Sequence, residues 1–253
     1  MKTFIVDFKG KFANFKKFYS NSSALSYYFP PRTAITGIFA AILGREKESY
    51  HEEFCFVNFK VAIAIKSKLK KSIHKINYLK VENPNQLNGS HNDTRTQVPF
   101  EMLSAADFRK QIHYRLYCNC SEPLYEELIQ TITSYTQKFP IYLGKAGLSG
   151  QISLIAEDSE LKLAIDENIE NYNLFVTPLP KQTIADIEFK QNETLNIYED
   201  SMPLTYDKDY SRQTCEIKTY IFGNGEPLLV KVKKSFYLIE YCSESENIFF
   251  LED

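Results

Sequence analysis

Hydrophobic residues in the amino-terminal half recur with two different periods, and the order in which those periods change restricts the chain to few folds. Thr3 to Lys9 alternates around Phe4, Val6 and Phe8, the pattern of a strand with one buried face. After Pro30-Pro31, residues Ile35, Ile38, Phe39, Ile42 and Leu43 fall at i, i+3, i+4, i+7 and i+8 and Gly44 follows, which predicts a helix punctuated at both ends. Phe59, Val61, Ile63 and Ile65 alternate again. The lysine-rich run Lys66 to Lys75 then reads as the basic tip of a hairpin that returns near Ile76, Tyr78 and Val81. Glu82 to Phe108 is polar, carries Pro84, Gly89, Asn92 and Asp93, and exceeds ordinary connections in length. Ile112, Tyr114, Leu116 and Cys118 alternate with His113, Arg115, Tyr117 and Asn119. Ser121, Glu122 and Pro123 open a second helix, with Leu124, Leu128, Ile129, Ile132 and Tyr135 along one side. Gly144, Gly147 and Gly150 punctuate a loop leading into a strand around Ile152 and Leu154.

Taken in order, these segments read as strand, helix, strand, strand, helix, strand. This is the ferredoxin-like split βαβ pattern, also the scaffold of the RNA recognition motif. The expected class is therefore α+β. From Leu161 onward short strand-like runs dominate, including Tyr220 to Phe222 and Leu228 to Val232 joined through Gly223-Asn224-Gly225-Glu226. Residues 1–157 are thus expected to form the first domain and residues 158–253 a small β-rich one.

Thirty Lys and Arg stand against 32 Asp and Glu, a formal charge of −2, so any polyanion-binding surface must come from local segregation of charge. The five cysteines are odd in number and scattered, and no secretion-type apolar run follows Met1, which suggests a reducing cytoplasm. Cys118-Asn119-Cys120 has one intervening residue where structural zinc pairs have two to four. No apolar run reaches the roughly 20 residues that span a bilayer. The expectation is no cofactor, no metal and no membrane.

Single-stranded RNA is gripped by cations on its phosphates and by rings on its exposed bases. Lys9 and the stretch Gly10 to Phe29 supply both, with Lys11, Phe12, Phe15, Lys16, Lys17, Phe18, Tyr19, Ser23 and Tyr27. The same rings would equally serve as core plugs, with the lysines merely solvated. Arg32 and Thr33 sit in the first turn of the first helix, where free N–H groups attract phosphate, although Arg32 could be an ordinary surface arginine. His113, Arg115 and Tyr117 form the polar face of a strand, suited to RNA or to a covering protein. Arg95 lies inside the long polar stretch. Lys145 stands in Tyr142 to Gly150, which lacks the Gly-Lys-Ser/Thr ending of a phosphate loop and serves either RNA contact or a tight turn. Histidines 51, 74, 91 and 113 give no metalloprotease spacing, and no Gly-x-Ser-x-Gly elbow is present. His113 with Lys110 and a tyrosine would suffice for metal-independent RNA cleavage.

The run Phe8-Lys9-Gly10-Lys11-Phe12-Ala13-Asn14-Phe15-Lys16-Lys17-Phe18-Tyr19, then Ser23 to Tyr27 and Pro30-Pro31-Arg32-Thr33-Ala34-Ile35-Thr36-Gly37-Ile38 through Leu43-Gly44, resembles the CRISPR-associated Cas-five family of the RAMP superfamily. The likeness returns at Tyr142-Leu143-Gly144-Lys145 and is faint around Pro178-Leu179-Pro180 and Met202-Pro203; its details look most like the type I-B branch. The resemblance implies a ferredoxin-like RAMP domain, a thumb-like insertion at about residues 82–108 with Arg95 near its tip, and a small β-rich carboxy-terminal domain. It further implies a subunit that caps the 5′ handle of the crRNA in a Cascade complex. Its partners would be the repeated backbone subunit and the large subunit that finds target DNA. One branch of that family cleaves precursor RNA, whereas in the branch resembled here a separate endonuclease does so. No catalysis is therefore expected, with a metal-independent endoribonuclease as the alternative and a protein-interaction module without RNA as a third reading. The residues Ala146 to Gly150 depart from the acidic position of many relatives.

Overall fold

The computed structural model describes residues 1–47, 49–79, 81, 83–87, 95–164, 171–189, 196–206 and 214–253. Its centre is a four-stranded antiparallel sheet of β1 (Lys2–Gly10), β4 (Phe59–Ile65), β7 (Ile112–Cys120) and β8 (Gly150–Ala156), in the order β4-β7-β1-β8. The alternation works as the sequence predicts. Phe4, Val6, Phe8, Val61, Ile63, Tyr114, Leu116 and Ile152 point to one face, where α1 (Arg32–Leu43) and α2 (Glu122–Thr133) cover them. α1 starts after Pro31 and ends at Gly44, whose φ of 75° is the left-handed turn that glycine adopts without a steric penalty. The Arg45 and Gly44 N–H groups close on the carbonyls of Ala40 and Ala41 there.

Two expectations need correction. The lysine-rich run after Lys66 is not a hairpin tip: it is the body of β5 (Leu69–Leu79), which pairs along its full length with β6 (Arg95–Ala105) in a separate two-stranded ribbon. The segment near Ile76 and Tyr78 is strand as expected, but it belongs to this ribbon and not to the central sheet. Much of Glu82 to Phe108 is likewise strand, with Arg95 opening β6 opposite Leu79, while residues 88–94 lie outside the described residues. Pro99, inside β6, is the residue that hides this strand from a sequence reading. The small strands β2 (Phe15–Lys16) and β3 (Ser26–Tyr27) pair with each other, and β6 is bridged by Ala13 just before β2, to Leu103, and by Ala24 just before β3, to Phe100.

The carboxy-terminal part contains β9 (Glu160–Leu163), β10 (Asn173–Phe175), β11 (Leu179–Pro180), β12 (Ile184–Ile187), β13 (Ile197–Tyr206), β14 (Thr214–Gly223), β15 (Leu228–Val232), β16 (Tyr237–Tyr241) and β17 (Glu244–Ile248). A six-stranded sheet runs β12-β15-β10-β17-β16-β9, and β11-β14-β13 make a smaller one. Residues on both sides of position 157 share one core: Met202, Leu204, Tyr220 and Phe222 pack into the helix-side cluster. Ile239, Tyr241, Ile248 and Phe250 pack against Ile5, Ala62, Ala64 and Tyr117 on the opposite face of the central sheet. No helix is long and apolar enough to cross a membrane among the described residues.

Phe249, Phe250 and Leu251 are consecutive yet enter three different clusters. The next residue, Glu252, accepts hydrogen bonds from Arg32 and from Val61 N–H, the latter at 3.1 Å. Removing one partner of a buried ion pair leaves the other charge uncompensated, so Glu252→Ala should cost about 3–5 kcal/mol in urea unfolding.

Candidate nucleic-acid interface

The register of β1 with β7 sets Asp7 opposite Arg115 and Lys9 opposite His113 on the face away from the helices. Arg115 Nε donates to Asp7 Oδ1 at 2.8 Å, and its Nη1 donates to the Tyr241 hydroxyl at 2.9 Å and reaches Glu244 Oε2 at 3.5 Å. His113 Nε2 lies 2.7 Å from Asp7 Oδ2, close but off the line of a good hydrogen bond, and Lys9 Nζ lies 3.6 Å from the same oxygen. Tyr117 and Tyr241 both donate to Glu246, which also accepts from Lys66 Nζ at 2.5 Å. The expected open RNA face is thus covered around Tyr117 by β16 and β17, and Arg115 is committed to Asp7 and Tyr241, while His113 stays half-buried beside Asp7.

The Gly10 to Phe29 stretch divides into buried and exposed residues. Phe15 and Tyr27, expected to stack on bases, are 2% and 0% exposed and sealed in the core, because β2 and β3 turn them inward against residues such as Tyr114. Arg32, expected to meet phosphate, is 5% exposed and is held by Glu252 and by the carbonyls of Phe54 and Phe59 at 2.7 and 2.9 Å. Thr33 sits half-buried beside it in α1. Lys17 is paired with Asp200 of β13 at 2.7 Å; burial opposes its charge, but the Asp200 contact prevails and raises its pKa. Lys11 donates to the carbonyls of Phe108 and Lys110 and lies 4.1 Å from the Phe108 ring. Ser23 is half-buried, exchanging contacts with Ser20 that tighten the loop. What remains outward is the turn between β2 and β3: Lys16, with Phe18 and Tyr19 at 44% and 52% exposure, their rings edge to face at 5.2 Å.

The glycine loop packs between the start of β2 and the ribbon. Gly144 has φ of 93°, and a Cβ there would lie 1.9 Å from the Asn14 carbonyl oxygen, so only glycine lets the loop close against the start of β2. Asn14 N–H donates to the Leu143 carbonyl at 3.0 Å, and Asn14 Nδ2 reaches Glu101 O on β6 at 2.7 Å. Lys145 is thereby set over the ribbon, its Nζ 4.2 Å from the Tyr78 ring and 5.0 Å from Phe100. Arg95 belongs to the same ribbon, at its far end.

The family model described as CRISPR-associated protein (Cas_Cas5) matches residues 3–175, which include the central sheet, both helices and the ribbon. The chain belongs to the CRISPR-associated Cas5 family. A crystal structure of a CRISPR protein from Archaeoglobus fulgidus superposes on this Cas5 chain with a TM-score of 0.56 at 12% identity, covering 98% of this chain and 99% of that one. A chain of a CRISPR RNA-guided surveillance complex aligns at 13% identity over 89% of this chain and 91% of its own, with a TM-score of 0.49. No curated protein sequence matches.

Sequence reading misses the acids and rings of this Cas5 chain that decide which cations stay free: Asp200, Glu101, Glu246 and Glu252, with Tyr78 and Phe100 on the ribbon. Asp7 is missed as well, although the alternation of β1 places it on the face opposite Phe4, Val6 and Phe8 and so could have flagged it. Cys118 and Cys120 point into the helix-side core, where burial pushes the Cys120 thiol up to about 12.

Burial alone would raise the Asp7 carboxyl, but His113 and Arg115 hold it well below its ordinary 3.8. A depressed acid stabilises the fold above its unfolded pKa and loses that contribution as pH falls. Asp7→Asn should therefore cost about 3–5 kcal/mol at neutral pH, with the deficit against wild type shrinking as urea titrations are repeated at pH values below 4. Gly144→Ala should lower stability by more than about 1 kcal/mol, because neither the φ nor the Asn14 contact tolerates a methyl group, and thermal unfolding reads this directly.

Proposed function

We propose that this chain is a non-catalytic, RNA-binding subunit of a type I CRISPR surveillance complex, of the I-B branch, which caps the 5′ handle of the crRNA. The observation that carries the reading is the exposed group of Lys16, Phe18 and Tyr19, with Lys145 over the half-buried Tyr78 ring of the ribbon as a further cation not paired to a carboxylate. Exposed cations and ring faces are what single-stranded RNA requires. Family membership supports the same reading. The strand order β4-β7-β1-β8 with helices on one face supports a ferredoxin-like domain, and the β5–β6 ribbon fits the thumb, reaching further back in the sequence than residues 82–108. In this reading residues 1–157 carry the RNA site and residues 158–253 brace it. The protein works in the cytoplasm, against the repeated backbone subunit and the large subunit, and meets target DNA only through them.

Two features favour binding over cleavage: Asp7, the carboxylate beside His113, is committed to Arg115, and the neighbouring part of that sheet face, at Tyr117, is covered. Fluorescence anisotropy with a labelled 5′-handle oligonucleotide should give affinity that falls with salt by about 0.7 logarithmic units per phosphate contact. Tyr19→Ala should weaken binding about fivefold or more, the scale of one stacked base, and Lys16→Glu should flatten the salt dependence. Labelled repeat RNA incubated with the protein in EDTA should stay intact. Site-specific cleavage lost in His113→Ala would establish the endoribonuclease instead, and no handle binding would leave a protein-interaction module.

A further inference from the structure

The two edges of the central sheet are treated differently. On the β4 edge the outward groups are engaged: Leu251 N–H donates to the Val61 carbonyl at 2.9 Å, Val61 N–H donates to Glu252, and Arg32 donates to the Phe59 carbonyl. On the β8 edge, Gly150 N–H turns outward to the Ile141 carbonyl at 2.9 Å. Strand alternation then points the backbone groups of Ile152 and Leu154 the same way. No described segment hydrogen-bonds to them. An open row of N–H and C=O groups is a template for another strand.

A groove of about 490 Å³ follows this edge. Its walls come from both faces of the sheet: Tyr135, Pro140 and Tyr142 on the helix side, and Lys9, Gln151 and Ser153 on the other. Tyr135 is 83% exposed and sits at the end of α2 with φ of 55°, a left-handed position that glycine or asparagine normally fills. Nothing in the fold needs a tyrosine there. A strained backbone that presents an exposed ring to a groove points outward, to an occupant.

We propose that the β8 edge is a docking site for an extended segment of a partner protein, which adds as a fifth strand beside Ile152 and Leu154. Its alternate side chains are apolar or aromatic towards Tyr135 and Tyr142. Those facing Gln151, Ser153 and the ammonium of Lys9 are polar and include an acid, since Lys9 is the cation lining the groove and Asp7, 3.6 Å from it, shares its single charge with Arg115 at 2.8 Å. Strand addition draws affinity from backbone hydrogen bonds and specificity from alternate side chains. The site is separate from the Lys16–Tyr19 turn and does not depend on the RNA reading.

The test uses the full chain and a capped octapeptide that alternates Val or Tyr with Asp or Thr. In amide NMR, this peptide should shift and protect the Ile152 and Leu154 N–H groups. The same peptide N-methylated at every second residue keeps its side chains and loses its donors, and it should not bind. Tyr135→Gly should raise the melting temperature, because it relieves the backbone, while weakening the peptide about tenfold, the scale of one aromatic contact; handle RNA binding should stay unchanged. Equal binding of the N-methylated peptide, or peptide affinity unaffected by Tyr135→Gly, overturns the proposal. So does competition between peptide and handle RNA, which would assign the groove to nucleic acid. A concentration-dependent dimer lost in Tyr135→Gly would give the edge to a second copy of this chain and equally overturn it.

Discussion

Arg32 lies in the first turn of α1, where a cation opposes the helix dipole, yet its guanidinium is buried and fixed by Glu252 and two backbone carbonyls. Charge is tolerated at such depth only when paired and hydrogen-bonded on several sides. That requirement ties the carboxy-terminal tail to α1 and β4 at one point. Because Phe249, Phe250 and Leu251 each enter a different cluster just before Glu252, fixing the tail fixes all three cores together. The β16–β17 hairpin is then held against the central sheet, and the face of Asp7, His113 and Arg115 is closed.

Closing that face moves any RNA site elsewhere. An open ferredoxin-like sheet meets bases on its exposed strands, but here Tyr117 is buried and Arg115 is committed to Asp7. The near balance of charge is realised as pairing: Lys17 with Asp200, Lys66 with Glu246, Lys71 with Glu101. Lys145 differs in kind. It rests on two rings instead of a carboxylate, so its positive charge is not cancelled and still acts on a nearby anion. Lys16 of β2 is exposed as well.

The central sheet and both helices are legible in the sequence because their apolar residues keep a clean period of two or 3.6 over whole elements, with proline and glycine at the ends of α1. The ribbon is not. Only Ile76 and Tyr78, near the end of β5, mark it; the exposed first half of β5 reads as a charged tip, and Pro99 argues against a strand that exists because its partners lie on both sides. The candidate site is legible as a composition and not as a surface. Lys16, Phe18 and Tyr19 stay outside while Phe15, Tyr27 and Arg32 go in, and that choice rests on Ser26, Tyr114 and Glu252, which come from distant parts of the chain. Long-range partners of this sort leave no local pattern.

Gly144 and Tyr135 show how one backbone conformation answers two different demands. Both have positive φ and both end a segment beside the central sheet. At Gly144 a side chain has nowhere to go, since the Asn14 carbonyl occupies the place of its Cβ, and packing alone dictates glycine. At Tyr135 the side chain is open to solvent and packing dictates nothing, so glycine would serve the helix end better. The first residue is explained by how the glycine loop closes on β2. The second has no packing partner that demands it among the described residues, and it lines the groove beside the β8 edge.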